Sequence, residues 1–335
     1  MNSGKGIPDL TRIHADRVPQ FADLDMLEPI EGLMATNTDL SADNYLEVAW
    51  NAGNYEGTQY TVPLDIHGNA MYYNTDLLDK YDANTFLDDD VVTIEEILSL
   101  DGKLDEGQYA INNALIEWVT LANVVNAGGD ISDEAGNPTI NTDAMRSVVE
   151  QLKSVADAGL MSPYGEDGYA MFQSGDVLFS TDGTWTSTAH GSVEGLNFGV
   201  TNIYSVTPDK FTNRSSAHLF SLLNNEDRTD EKEQGVADFL SWMRENSLDW
   251  AGAGQIVASK EVFESEEYQQ YPQSFFTSSD VEKEASYIFD YKYYSYVESA
   301  LGTVLSDMIY GNITIDEGLD QAQKTVEDLI AENAS

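Results

Sequence analysis

The sequence predicts an α/β protein of two domains. Three observations carry this. Short strand-like runs alternate with amphipathic helical patterns, the 335-residue chain is longer than one ordinary domain needs, and no low-complexity linker interrupts it. Two lobes without a linker imply strands that cross from one to the other.

The elements follow in chain order. In YTVPLDIHGNAMYYNTDLL (60–78), Tyr60, Val62 and Leu64 alternate as in a strand, but Asp65 and His67 then fall where a buried strand would continue with Val or Ile. In TDAMRSVVEQLKSVADAG, Met145, Val148, Val149, Leu152, Val155 and Ala156 share one helical face, with Thr142 to cap the start and Gly159 to close the end. DVLFST (176–181), NFGVTNI (197–203) and AHLFSLL (217–223) read as strands, and EQGVADFLSWMREN (233–246) reads as a helix. The last helix opens with Thr314 and Glu317 at capping-box spacing and repeats Leu319, Ala322, Val326, Leu329 and Ile330 along one face.

Composition narrows the function classes. Hydrophobic residues make up 41% of the chain, enough to offset chain entropy. The 59 acidic against 16 basic residues leave a formal charge of -43, a field that repels phosphate backbones and anionic headgroups, so no nucleic acid or membrane surface is expected as partner. Such acidity suits a solvated surface in high salt or an acidic extracellular setting. The absence of cysteine removes disulfides, thiolate nucleophiles and Cys-based metal sites. The most apolar run, 114–129, carries Glu117, Asn123 and Asn126 and is no bilayer span, and MNSGKGIPDL lacks the apolar core of a signal peptide. Taken alone, these features describe a soluble, cytoplasmic chain.

No phosphate-binding loop, dinucleotide fingerprint, nucleophile elbow or zinc-protease helix is present. His14, His67, His190 and His218 have no metal-ligand spacing, so neither a metal nor a cofactor is expected. Any two of the 59 acids could form a glycosidase pair, but none is singled out by apolar neighbours. DISDEAGN (130–137) lacks the twelve-residue calcium pattern and reads as a polar turn.

Aromatic side chains beside polar ones in loops are the positive signal. Trp185 follows a strand and a Gly-containing turn, an exposed place for so large a side chain. Indole faces stack on the C–H faces of sugar rings while Asp, Asn and His exchange hydrogen bonds with hydroxyls. Trp118, Trp50 and the tyrosines of YIFDYKYYSYVE (287–298) could act likewise, or could equally cover core.

Several segments taken together resemble a known family. YEGTQYTVPLDIHGNAMYYNTDLLDKY, AMFQSGDVLFSTDGTW, WAGAGQIVASKEVF and YGNITIDEGLDQAQKTVEDLI are similar, in order, to segments of the extracellular solute-binding proteins of ABC importers, in the sugar-binding, maltose-binding-protein-like group. The resemblance implies a type II periplasmic-binding-protein fold with crossing hinge strands. It divides the chain into lobe 1 at 1–66, lobe 2 at 67–218, a lobe 1 return at 219–262 and lobe 2 helices at 263–335. It places Asp65 and His67 at the crossover facing an interlobe cleft, where Pro63 ends the core strand. It makes Trp185 and Trp118 stacking aromatics, sets His218 near the hinge, adds Gln255 and Trp50 to the ligand-binding set, and assigns one of Tyr293, Tyr294 or Tyr296 as a further stacking ring.

The first residues resemble the family's second strand, not its beginning. A lipoprotein signal, a first strand and a first helix are therefore expected to be missing, leaving lobe 1 incomplete with an exposed edge on a parallel sheet. The function implied is binding of a mono- or oligosaccharide and its delivery to permease subunits, by a non-catalytic monomer anchored at the cell surface as a lipoprotein in its full-length form. A carboxylate-based glycoside-active enzyme and a non-functional fragment are the alternatives.

Overall fold

Residues 60–78 fold as two strands in near-continuous succession, Thr61–Pro63 and Asp65–Asn74, followed by the helix Thr75–Lys80. The structure, a computed structural model, describes residues 6–208, 210–278 and 286–333. It divides into two units: Met1–His67 with Ser215–Ser274 and Ile288–Lys292, and Gly68–Arg214 with Phe275–Tyr287 and Tyr293–Ser335. His67, residues 215–218 and 263–274, and Ile288–Lys292 fall in the first unit, although the sequence-based division assigned them to the second.

The first unit is organised by the strand His218–Leu223. Leu10–His14 pairs antiparallel with it from Leu10↔Leu222 to His14↔His218, Thr61–Pro63 pairs antiparallel through Leu219↔Pro63, and Leu27–Glu28 pairs antiparallel through Leu223↔Leu27. These ladders are antiparallel where a parallel sheet was expected. The apolar residues pack as Ile30, Leu33, Leu40, Tyr45, Ala49, Trp50, Val62, Leu222 and Leu240 in one cluster and Ile13, Val18, Leu27, Leu219 and Leu223 in another. Ile256–Val257 adds a short antiparallel ladder to the start of Asp65–Asn74, through Val257↔Asp65.

In the second unit the remainder of Asp65–Asn74 pairs antiparallel with Val177–Gly183 and with Phe198–Thr201, and Tyr109–Ile111 runs parallel to Val177–Gly183. The helices Ile116–Asn126, Asp143–Asp157, Tyr294–Ile309 and Ile315–Asn333 pack on one another. Their ends obey local chemistry. Thr142 accepts from the Met145 N–H at 3.2 Å, Gly159 turns the chain at φ +71°, and Thr314 and Glu317 form the reciprocal capping pair. Asn74 closes the crossing strand by accepting from the Asp76 and Leu77 N–H groups of the next helix. Asp133 accepts from the Ala135 and Asn137 N–H groups, the polar turn that DISDEAGN suggests. No helix among the described residues is long and apolar enough to cross a membrane.

The strand does not leave the core at Pro63. Every residue from Thr61 to Asn74 is buried except the half-buried Tyr73. Polar side chains are tolerated there where they are partnered, as the site geometry makes plain.

Candidate functional site

Two groups of side chains carry the chemistry, one in each unit. In the second unit, Trp118 occupies the first turn of Ile116–Asn126. That helix begins after Leu115, a non-glycine residue in left-handed backbone at φ 47° and ψ 36°. Such backbone costs on the order of 1 kcal/mol and persists where its surroundings fix it, here setting where the helix starts and so where Trp118 points. Trp185 stands in a single turn after Val177–Gly183, and its indole lies flat on Gly183: a Cβ there would come within 2.2 Å of the ring. The two indoles meet edge to face, with centroids 5.8 Å apart and planes at 78°. Both are half-buried.

Charged groups hold this pair. The Arg214 guanidinium lies 3.7 Å from the Trp118 ring centre and 5.3 Å from that of Tyr294, and its Nε donates to the Tyr294 hydroxyl at 2.8 Å. Glu298 accepts from Trp118 Nε1 and lies 3.9 Å from Arg214 Nη2. Arg214 Nη1 is buried and has no hydrogen-bond partner among the described residues. Burial raises the carboxyl pKa of neighbouring Glu117, and repulsion from Glu298 adds to the rise. Burial also pushes Asp182, at the end of the strand leading to Trp185, up to about 6, against the opposing hydrogen bond from the Gly183 N–H.

In the first unit Asp65 is the hub. It is fully buried, and its two oxygens accept from the His218 N–H at 3.0 Å, His218 Nδ1 at 2.8 Å, His67 Nδ1 at 3.2 Å and Trp250 Nε1 at 2.5 Å. Burial opposes its charge most strongly. The hydrogen bonds from His218 and His67, and the charge those rings carry when protonated, outweigh burial and hold the carboxyl below its usual range.

The sequence-nominated residues divide accordingly. Trp118 and Trp185 come together as a pair. Asp65, His67 and His218 also come together, but not as open hydroxyl-binding groups: Asp65 has its acceptor capacity filled and His67 is 3% exposed, so the expectation that Asp65 itself meets a ligand is corrected. Trp50 is a core residue, stacked on Tyr45 at 5.5 Å within an apolar cluster of the first unit, which removes it from the stacking set. Tyr294 is 1% exposed and serves as the acceptor for Arg214, whereas Tyr293 and Tyr296 stack on each other, half-buried, with centroids 5.7 Å apart. Gln255 is buried in the first unit, and its Oε1 has no partner among the described residues.

Three of these partners were not nominated: Trp250, Arg214 and Glu298. Glu298 sits four residues after Tyr294 on one helix, so both fall on the same face. Nothing in the sequence links Arg214 or Trp250 to the partners they meet.

The comparisons with known proteins follow this geometry. Residues 1–277 match the family described as bacterial extracellular solute-binding protein. The chain belongs to this family. An arabinooligosaccharide-binding protein from Halalkalibacterium halodurans is 24% identical over 205 residues, covering 55% of this chain and 42% of that protein, so the match spans less than half of the curated relative. Among solved structures, this solute-binding protein is similar to the ABC substrate-binding protein Lmo0181 from Listeria monocytogenes in complex with cycloalternan. The TM-score is 0.81 at 16% identity, over 98% of this chain and 86% of that one. The sugar-binding protein MalE from Xanthomonas citri gives 0.81 at 15% identity, over 99% and 86%. UgpB from Mycobacterium tuberculosis in complex with glycerophosphocholine gives 0.80 at 14% identity, over 99% and 86%. At these identities the likeness establishes the fold, that of the type II solute-binding proteins.

Proposed function

We propose that this solute-binding protein is the carbohydrate-binding component of an ABC importer, taking up a mono- or oligosaccharide and passing it to transmembrane permease subunits without changing it. We further propose that it acts as a monomer, tethered as a lipoprotein outside the cell. The Trp118–Trp185 pair carries the reading. Two half-open indoles set edge to face offer an apolar platform for the C–H faces of a sugar ring, while Arg214 and Glu298 at its margin supply a donor and an acceptor for hydroxyls. Tyr293 and Tyr296 form a second stacked aromatic pair on the same unit.

Two of the relatives support the same reading, since an arabinooligosaccharide and cycloalternan are polyhydroxylated and uncharged, whereas the glycerophosphocholine of UgpB is a phosphodiester. Calorimetry and thermal stabilisation across arabino-oligosaccharides, maltodextrins, cyclic glucans and glycerophosphocholine test the reading. A saturable response to one of the sugars supports it. Response only to the phosphodiester, or to none of the panel, defeats the carbohydrate assignment.

A further inference from the structure

We propose that the first unit binds a divalent transition-metal ion, zinc being the best match, through His14, His67 and His218. The three residues are far apart in sequence, and the fold brings them together. His14 ends Leu10–His14 and stands directly opposite His218, the first residue of the neighbouring antiparallel strand. His67 follows Asp65 by two residues on the crossing strand, so both side chains lie on one face. The ring centroids are 4.8 Å apart for His14 and His218, 5.4 Å for His14 and His67, and 4.3 Å for His67 and His218. Each ring offers a nitrogen, and these nitrogens all lie within 4.8 Å of one another.

The surroundings fit a metal better than they fit three unrelated histidines. Asp65 takes the Nδ1 side of both His67 and His218. An Nδ1–H donated to that carboxylate leaves the lone pair on Nε2, which fixes the tautomer and makes the ring a stronger ligand. Trp250 Nε1 and the His218 N–H occupy the remaining acceptor positions of Asp65, so the carboxylate orients the rings without turning toward the ion. Three neutral imidazoles suit zinc, copper or nickel rather than magnesium or calcium, and leave one position of a tetrahedral shell for water or a ligand oxygen.

Zinc–nitrogen bonds of about 2.0–2.1 Å place ligand nitrogens roughly 3.3 Å apart, so the widest gap must close by about 1.5 Å. His14 is the exposed ring of the three, at the end of its strand, so the movement falls to it. An ion there ties three strands of the first unit together, independently of any sugar.

Zinc titration of the tag-free chain, stripped with a chelator and held in physiological salt with excess magnesium, tests the proposal. Magnesium is required because a chain of charge -43 collects cations on its surface carboxylates. Calorimetry should show one zinc per chain with a raised melting temperature. His14→Ala, which touches an exposed side chain and so leaves the fold intact, should weaken binding by about 100-fold. Asp65→Asn should weaken it by about 10- to 100-fold through loss of ring orientation. Absence of a stoichiometric zinc site overturns the proposal. So does binding that magnesium displaces, or that His14→Ala and His218→Ala both leave unchanged. Sugar titration of the same variants separates this result from the carbohydrate reading, since neither outcome depends on the other.

Discussion

The guanidinium of Arg214 lies 3.7 Å from the centre of the Trp118 ring, with Glu298 bound to both the indole N–H and, at longer range, the guanidinium. One cation thereby fixes an aromatic face, neutralises a nearby carboxylate and keeps a donor nitrogen unspent. Arg214 is buried, so its charge is strongly felt. Arg214→Met should cost about 2–4 kcal/mol of stability in urea unfolding, because Glu298 and Glu117 would face each other without the cation. Arg214→Lys should recover part of the stability but not the position of Trp118, since an ammonium neither stacks nor forks. Wild-type unfolding in Arg214→Met would show that the pair is idle.

Trp185 rests on Gly183, and this makes a two-part prediction about affinity. Trp185→Ala should weaken binding of the cognate sugar by about 1–3 kcal/mol with little change in melting temperature, because the ring is half-open. Gly183→Ala keeps the indole but drives a methyl into it, so affinity should fall with Trp185 still present. The backbone at Gly183, φ -90° and ψ 158°, accepts alanine without strain, so the loss would report the displaced ring alone. Titration calorimetry of both variants provides the check. Unchanged affinity with a collapsed melting temperature in Trp185→Ala would mark the residue as core.

Asp65, itself fully buried, gathers His67, His218 and Trp250. Asp65→Ala should destabilise the first unit by about 3–5 kcal/mol, since four donor groups, one on buried His67 and three on part-buried His218 and Trp250, lose their acceptor. Its carboxyl sits below the ordinary value of 3.8, so its contribution is fully present above that pH and is lost as the pH falls beneath it. Unfolding curves of wild type and Asp65→Asn should therefore differ least in strong acid.

His190 gives a separate pH signature in the second unit. It is fully buried among Tyr72, Tyr169, Phe172 and Phe198, and burial lowers its pKa from 6.5 to about 4. Between those values the unfolded chain binds the proton and the folded one does not, so stability falls with decreasing pH, by roughly 3 kcal/mol once both forms are protonated. Asp182 works the other way. Its folded value of about 6 means that the folded chain holds the proton between pH 4 and 6, so this group favours the fold as the pH falls. His190→Phe should flatten the acid loss between pH 6.5 and 4, and Asp182→Asn should steepen it. Differential scanning calorimetry at stepped pH reads the slopes, and parallel slopes in His190→Phe and wild type would refute the assignment.

The α/β alternation and the helix boundaries were legible because they depend on local chemistry. Thr142 and Thr314 cap helices with their own side chains, and the apolar face of Asp143–Asp157 repeats every turn. Trp118 and Trp185 could be nominated as candidates because large aromatics beside turns are conspicuous, whereas Trp50 looked the same and lies in the core stacked on Tyr45. Exposure is a property of what packs on a residue: Tyr45 is a sequence neighbour of Trp50, but Val62, Leu222 and Leu240 of the same cluster arrive from farther along the chain.

The sequence by itself determined the periodicities, the caps, the acidic field and the absence of thiol chemistry, each a property of residue type or short spacing. Only the tertiary structure decided that Asp65 is a buried hub instead of an open ligand group, because its partners arrive from positions 218 and 250. It alone decided that His14 faces His218, a pairing set by strand register across two hundred residues. Register and long-range packing sum many weak contacts over the whole chain, and no short motif encodes that sum.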